Sequence, residues 1–187
     1  MPAIDEVVHV RTLPAGVWSV DRANSRVGFS LKHMVLRTVR GGFGDFDGVV
    51  EIRDGEARAH GSVSAASIDT GDGVRDEHLR RSRDFFDVEC HPEISFRSGR
   101  LELDDGVVSA EGELTMRGVT RPLQLRGHLG SPGCQDGEPA LKMTLQGELS
   151  RSDFGLVWNQ TLDTGGALLG DTVKIDLELT AVPPADG

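Results

Sequence analysis

Between residues 17 and 182 the chain alternates apolar and polar side chains with a period of two, in run after run. Val27, Phe29, Leu31 and His33 are interleaved with Arg26, Gly28, Ser30 and Lys32. The same holds for Val108, Ala110, Gly112, Leu114 and Met116, for Leu123, Leu125, Gly127 and Leu129, and for Leu141, Met143, Leu145, Gly147 and Leu149. Val173, Ile175, Leu177 and Leu179 close the series. A helix scatters such a pattern around its circumference, whereas a strand puts it on one face. One dry and one wet face argue for antiparallel pairing, because parallel sheets are usually covered on both sides. Asp54-Gly55, Asp105-Gly106, Arg117-Gly118 and the loop Ser131 to Pro139 sit between runs as turn signals. Long antiparallel strands joined this way predict a closed meander or barrel without exposed edges.

One stretch breaks the alternation. From Gly71 to Pro92 the acids come early and the bases late, which suits a short helix between Gly71 and Ser82. Phe85-Phe86 follows outside any strand pattern, as expected of a helical flap pinned by aromatics over one barrel end. The inward faces carry small residues, Ala57, Ala59, Gly61, Val63 and Ala65 in one run and Ala110 and Gly112 in another. Small inward residues in a sheet of about eight strands leave room for a tunnel. Phe29, Phe46 and Phe96 could equally fill that space, and alternation alone does not separate the two.

Charge and composition remove other classes. Thirty acids against 20 bases give a net charge of −10, which repels nucleic-acid phosphates and anionic membranes. There is no tyrosine, and aromatics are only 5% of the chain, so base-stacking platforms are scarce as well. No stretch approaches the ~20 apolar residues of a membrane span, and the first fifteen residues lack the pattern of an export signal, giving an expectation of a cytoplasmic protein. Residues 1–15 are expected to be a flexible extension, 16–182 the folded domain and 183–187 a tail. Cys90 and Cys134 form no framework; they are expected as small buried thiols, a single bridge being the alternative. Hydrolase, metalloprotease, dinucleotide and phosphate-loop motifs are missing, and His78 and His91 among Asp72, Asp76 and Glu77 have neither zinc nor calcium-loop spacing. The reading is of a non-catalytic protein without a cofactor.

Trp18-Ser19-Val20-Asp21, Ser25, Val27-Gly28-Phe29, His33, Gly42-Phe43 and Phe46-Asp47-Gly48 stand in order along the first quarter of the chain. Ser67-Ile68-Asp69-Thr70, Asp76, His78-Leu79, Phe85-Phe86-Asp87, His91-Pro92 and Ile94-Ser95-Phe96-Arg97-Ser98 follow. The series continues with Gly112-Glu113-Leu114-Thr115-Met116-Arg117-Gly118-Val119-Thr120 and Ser150-Arg151-Ser152-Asp153-Phe154-Gly155. In this order and spacing the sequence resembles the YceI-like family of lipocalin-like, polyisoprenoid-binding proteins. The resemblance implies an all-β, extended antiparallel lipocalin-like barrel with a helical segment near one mouth, and no catalytic centre. It implies an interior that takes a long isoprenoid tail, from a quinone or a prenyl lipid, and association of chains as a homodimer. The chain departs from the family in having His91 where Tyr is usual before Pro92.

Candidate ligand contacts on the inward faces are Phe29, Leu31, Phe46, Val63, Phe96, Leu114, Met116, Leu125, Met143, Leu145 and Leu177, with Phe85, Phe86 and Phe154 near the mouth. Arg151 continues the apolar face of Leu145 and Leu149, so it is expected to point inward. A guanidinium there needs an anionic ligand group or an acid such as Asp69 or Asp153. His33 ends an inward series, either as a satisfied core histidine or as a hydrogen-bonding partner for a quinone carbonyl or lipid headgroup. The alternative to a lipid carrier is a barrel with a filled core, serving as a structural or interaction module.

Overall fold

The structure, a computed structural model, describes residues 10, 13–130, 133–135, 137–160, 162–163 and 167–183. Its elements are β1 (Gly16–Val20), β2 (Arg26–His33), β3 (Arg37–Phe43), β4 (Phe46–Arg53), β5 (Glu56–Ser64), β6 (Ile68–Asp69) and α1 (Gly73–Arg81). After these come β7 (Glu93–Asp104), β8 (Val107–Met116), β9 (Val119–Leu129), β10 (Gly133–Gln135), β11 (Glu138–Ser150) and β12 (Leu169–Val182).

The expected turns set the register. Asp54-Gly55, Asp105-Gly106 and Arg117-Gly118 all have positive φ at both residues. That is the mirror-image two-residue hairpin whose twist matches the strands it joins. They connect β4 to β5, β7 to β8 and β8 to β9, so each apolar set stays on one face. Pairing then runs β11-β9-β8-β7-β5-β4-β1-β12, and β11 returns to β12 through pairs from Leu141↔Ala181 to Ser150↔Thr172. The result is a closed, eight-stranded antiparallel barrel.

The far edge of β12 serves two strands in turn. Ala181 and Val182 pair with β1, while Leu169 to Glu178 pair with β2. Between them Asp21 caps a single 3-10 turn, Arg22–Asn24, accepting from Ala23 N at 3.0 Å. Arg22 holds this corner by donating to Phe46 O and pairing with Asp45 and Asp47. Beyond the corner β2, β3 and β6 continue the sheet from β12 as a branch, here called the wing.

The expected helix is α1, capped by Asp72, which accepts from Val74 N and Arg75 N at 3.1 Å. Its docking is unusual. Val74 is 84% exposed, and the buried residue of the helix is Asp76. Asp76 accepts from Thr70 N and Thr70 Oγ1, and Arg80 donates to Ala66 O and Ile68 O, both at 2.8 Å. So short a helix is marginal alone; polar ties hold this one to the chain around β6, and Leu79 packs against the core.

The core lies inside the barrel, with Trp18, Ile52, Ala57, Val108, Ala110 and Leu141 buried on its wall. Val10, from the expected N-terminal extension, is buried with them, and Trp18 Nε1 donates to Pro14 O at 3.1 Å. The rest of that extension before Leu13, and residues 184–187 of the expected tail, lie outside the described residues. The cysteines are a correction: Cys90 and Cys134 are free and both exposed. Cys90 closes a turn on Asp87 O and Cys134 lies on the short edge strand β10, where neither faces the core.

Glycines on the inner face let strands and rings approach closely. A Cβ on Gly127, which lies opposite Leu145, would stand 1.7 Å from Thr144 O and 2.9 Å from Leu145 Cα. Both neighbours are backbone, so neither can rotate away. Gly127→Ala is therefore expected to cost about 2 kcal/mol or more by strain, read as a lowered urea midpoint with the slope unchanged.

Candidate functional site

The barrel is not filled. It encloses a cavity of about 460 Å³, within the range of small-molecule sites. The even pleat of the wall brings the candidates together: Phe29, Leu31 and His33 from β2, Phe46 from β4, Val63 from β5 and Phe96 from β7. Leu114 and Met116 from β8, Leu125 from β9, Met143 and Leu145 from β11, and Leu177 from β12 complete the apolar wall. Cross-strand pairs such as Phe46↔Val63, Phe96↔Leu114 and Leu145↔Leu177 show how register produces this convergence. Space survives partly because rings lie over glycines. A Cβ on Gly41 would meet Phe29 Cζ at 2.6 Å, and one on Gly112 would meet Phe96 Cζ at 2.7 Å.

Phe85 and Phe86 also line the cavity. Phe86 meets Phe43 edge-on at 6.0 Å, and Phe85 lies 5.6 Å from Trp158 and 5.3 Å from His78. The segment after α1 thus bridges the wing to the loop after β11. Phe154 is placed differently from its expectation: it is 2% exposed within the core and is not among the lining residues.

Arg151 needs the larger correction. β11 ends at Ser150, and Arg151 opens a 3-10 turn, Arg151–Phe154. The guanidinium is buried, as expected, but neither Asp69 nor Asp153 compensates it. Nε donates to Gly170 O at 2.9 Å, Nη1 to Leu156 O at 2.5 Å and Trp158 O at 2.9 Å, and Nη2 to Leu169 O at 3.4 Å. One side chain thereby ties the start of β12 to a segment that has no regular hydrogen bonding of its own. Burial lowers the Arg151 pKa, and the nearby Asp171 charge opposes that. The wall also holds polar groups not expected as ligand contacts, Thr70 just before α1 and Arg75 and His78 on it. Phe43, Leu79, Leu156, Trp158 and Leu168 were likewise missed. The last three lie in a loop where no periodicity operates, and the sole signal was a large aromatic outside the strands.

Asp171, just past the Arg151 carbonyl partners, takes a very short hydrogen bond from Ser150 Oγ and one from Ser152 N at 3.1 Å. The Ser150 bond is the main reason its carboxyl pKa is lowered, with Ser152 and the Arg151 charge adding to it.

An eight-stranded antiparallel barrel closed around an apolar cavity, with a helix-bearing segment at its mouth, defines a lipocalin-like class of binding fold. The family model for the YceI-like domain matches residues 18–181, and the chain belongs to that family. The UPF0312 protein SA2479 of Staphylococcus aureus is 32% identical over 166 residues, covering 85% of this chain and 93% of the relative. The crystal structure of Burkholderia cenocepacia BcnA matches with a TM-score of 0.74 at 23% identity, over 87% of this chain and 99% of that one. A polyisoprenoid binding domain from Saccharophagus degradans, implicated in plant cell wall breakdown, matches with a TM-score of 0.63 at 15% identity, over 89% and 98%. Among the described residues no helix is long and apolar enough to cross a membrane.

Two predictions follow from the Arg151 corner. Arg151→Ala removes a donor shared by four carbonyls, of which Leu169 O keeps the Asn159 side-chain amide at 2.8 Å, and is expected to destabilise the fold by about 3 kcal/mol or more, with early hydrogen exchange at Leu156 and Trp158. The lowered Asp171 value means its network stabilises the fold above the ordinary carboxylate pKa of about 3.9, and that contribution fades as pH falls through the folded value. Asp171→Asn should accordingly lower the urea midpoint at pH 7, and the gap to the native protein should narrow in acid.

Proposed function

We propose that the protein binds a long-chain polyisoprenoid lipid, an isoprenoid quinone or a prenyl lipid, in the barrel interior and sequesters or carries it. The observation that carries this reading is the apolar cavity, walled by converging side chains from strands of both barrel and wing. The wall is predominantly apolar, with a few polar groups that include Thr70, Arg75 and His78. It suits a flexible hydrocarbon, whose burial gains roughly 25 cal/mol per Å² without any polar contact. Family membership supports the same class of ligand, and so does the polyisoprenoid binding domain with which the fold is shared. The apolar candidates hold the tail, and His33, near the rim, orients a carbonyl or headgroup. Arg151, which also lines the cavity, ties down the loop after β11 and stands where it can meet a headgroup. The protein is a carrier and not a catalyst; cell fractionation and sedimentation test the accompanying assignments of a cytoplasmic location and a homodimer.

Solvent extraction of protein purified without detergent, followed by mass spectrometry, is expected to yield a long-chain isoprenoid in near-stoichiometric amount. A protein that yields none, and takes up no added quinone, is an interaction module and not a lipid carrier. Leu114→Glu puts a carboxylate against the cavity, where its desolvation costs several kcal/mol. A folded Leu114→Glu protein, judged by circular dichroism, should lose its lipid; full retention would place the ligand elsewhere. Phe85→Ala with Phe86→Ala should raise the rate of lipid exchange several-fold more than it weakens equilibrium binding, because these rings close the segment over the cavity.

A further inference from the structure

The tip of the β2–β3 hairpin does what soluble proteins normally avoid. Met34, Val35 and Leu36 are 46%, 64% and 88% exposed, three consecutive apolar side chains facing water. The backbone there is also strained. Met34 and Val35 have φ of 51° and 63°, and Leu36 N donates to Met34 O at 2.7 Å across Val35. That is a γ-turn centred on a β-branched residue in the left-handed region, a costly arrangement. Glycine or asparagine would relieve it, and neither is present.

The charge along the hairpin itself is equally out of character, with Asp171 following Gly170, which packs on Lys32, as an acid brought near by the fold. Between Asp21 and Asp45 the chain has no Asp or Glu, yet carries Arg22, Arg26, Lys32, Arg37 and Arg40, within a protein of net charge −10. Arg22 and Arg26 are paired with acids elsewhere. Lys32, Arg37 and Arg40, the three nearest the tip, are exposed and have no ion-pair partner among the described residues. The tip also adjoins the cavity. Leu31, His33 and Val39 line it from the two strands, and Met34 N donates at 2.8 Å to the backbone of Leu168, another lining residue.

We propose that this hairpin docks the protein on anionic lipid bilayers, Met34, Val35 and Leu36 inserting at the headgroup boundary while Lys32, Arg37 and Arg40 meet the lipid phosphates. Ionic screening over about 8 Å lets the nearest face outweigh the distant net negative charge. Apolar insertion plus a basic rim is the combination that gives interfacial binding. The docked hairpin holds the mouth beside His33 against the surface from which a lipid cargo would enter. The proposal rests on the lipid-carrier reading for its purpose, although docking itself needs no cargo.

The test is co-sedimentation with vesicles of equal parts phosphatidylglycerol and phosphatidylcholine, compared with phosphatidylcholine alone. The native protein should bind the anionic vesicles, more weakly as salt rises, and bind the neutral ones poorly. Lys32→Ala and Arg37→Ala should each weaken binding about fivefold, and Leu36→Asp about tenfold or more. All three positions are exposed, so the variants should fold and keep their extractable lipid. In Leu36→Trp the added emission should shift to the blue on anionic vesicles, with the native protein as blank. Absence of binding, or equal binding by native and Leu36→Asp proteins, would overturn docking, whether or not lipid is extracted. Vesicle binding by a protein that yields no lipid would keep the docking surface and overturn the carrier reading.

Discussion

Everything in this molecule depends on the closure of β11 against β12. That ladder, from Leu141↔Ala181 to Ser150↔Thr172, converts an open meander into a ring whose inner face no longer needs a second layer to cover it. Closure has a geometric consequence for β12. One edge belongs to β11, and the other is divided between β1 and β2. The division at the Asp21 corner lets β2, with β3 beside it, pair onto the same edge as β1, and their Phe29, Leu31, Val39 and Phe43 join the cavity wall.

Where the ladder ends, guanidinium groups take over. Arg151 gathers carbonyls from both sides of the loop after β11. Arg80 ties α1 to the chain around β6, and Arg117 donates to Gly155 O and Arg83 O, linking the β8–β9 turn to the segment behind the helix. Arg117 Nε is buried without a partner among the described residues, a local cost at this junction. Side-chain ties of this kind open more readily than strand ladders. Ladders therefore build the wall, and side-chain ties hold the segments at the mouth.

Much of the site was legible before any coordinates. Period-two alternation named the inward residues, and antiparallel register brought Phe46, Phe96, Leu114, Leu145 and Leu177 to one space. The reading weakened where alternation stopped. Arg151 fell in phase with Leu149 but lies in a 3-10 turn, so its partners are carbonyls from the loop and β12 instead of the acids that pattern suggested. Phe154, in the same turn, points into packed core. Cys90 and Cys134 are in a turn and on an edge strand, where their usual preference for burial has nothing to act on.

Sequence by itself determined the strands, their facing, the mirror-image turns and the one helix, because these depend on neighbours within a few residues. Tertiary structure decided whether the centre is full or empty. That outcome turns on the barrel's circumference and on which ring lies over which glycine, as Phe29 does over Gly41 and Phe96 over Gly112. It also decided what compensates Arg151 and what stands exposed at the mouth, since both depend on chain segments far apart in sequence. Local pattern specifies a face; only closure in three dimensions specifies the volume that the faces enclose.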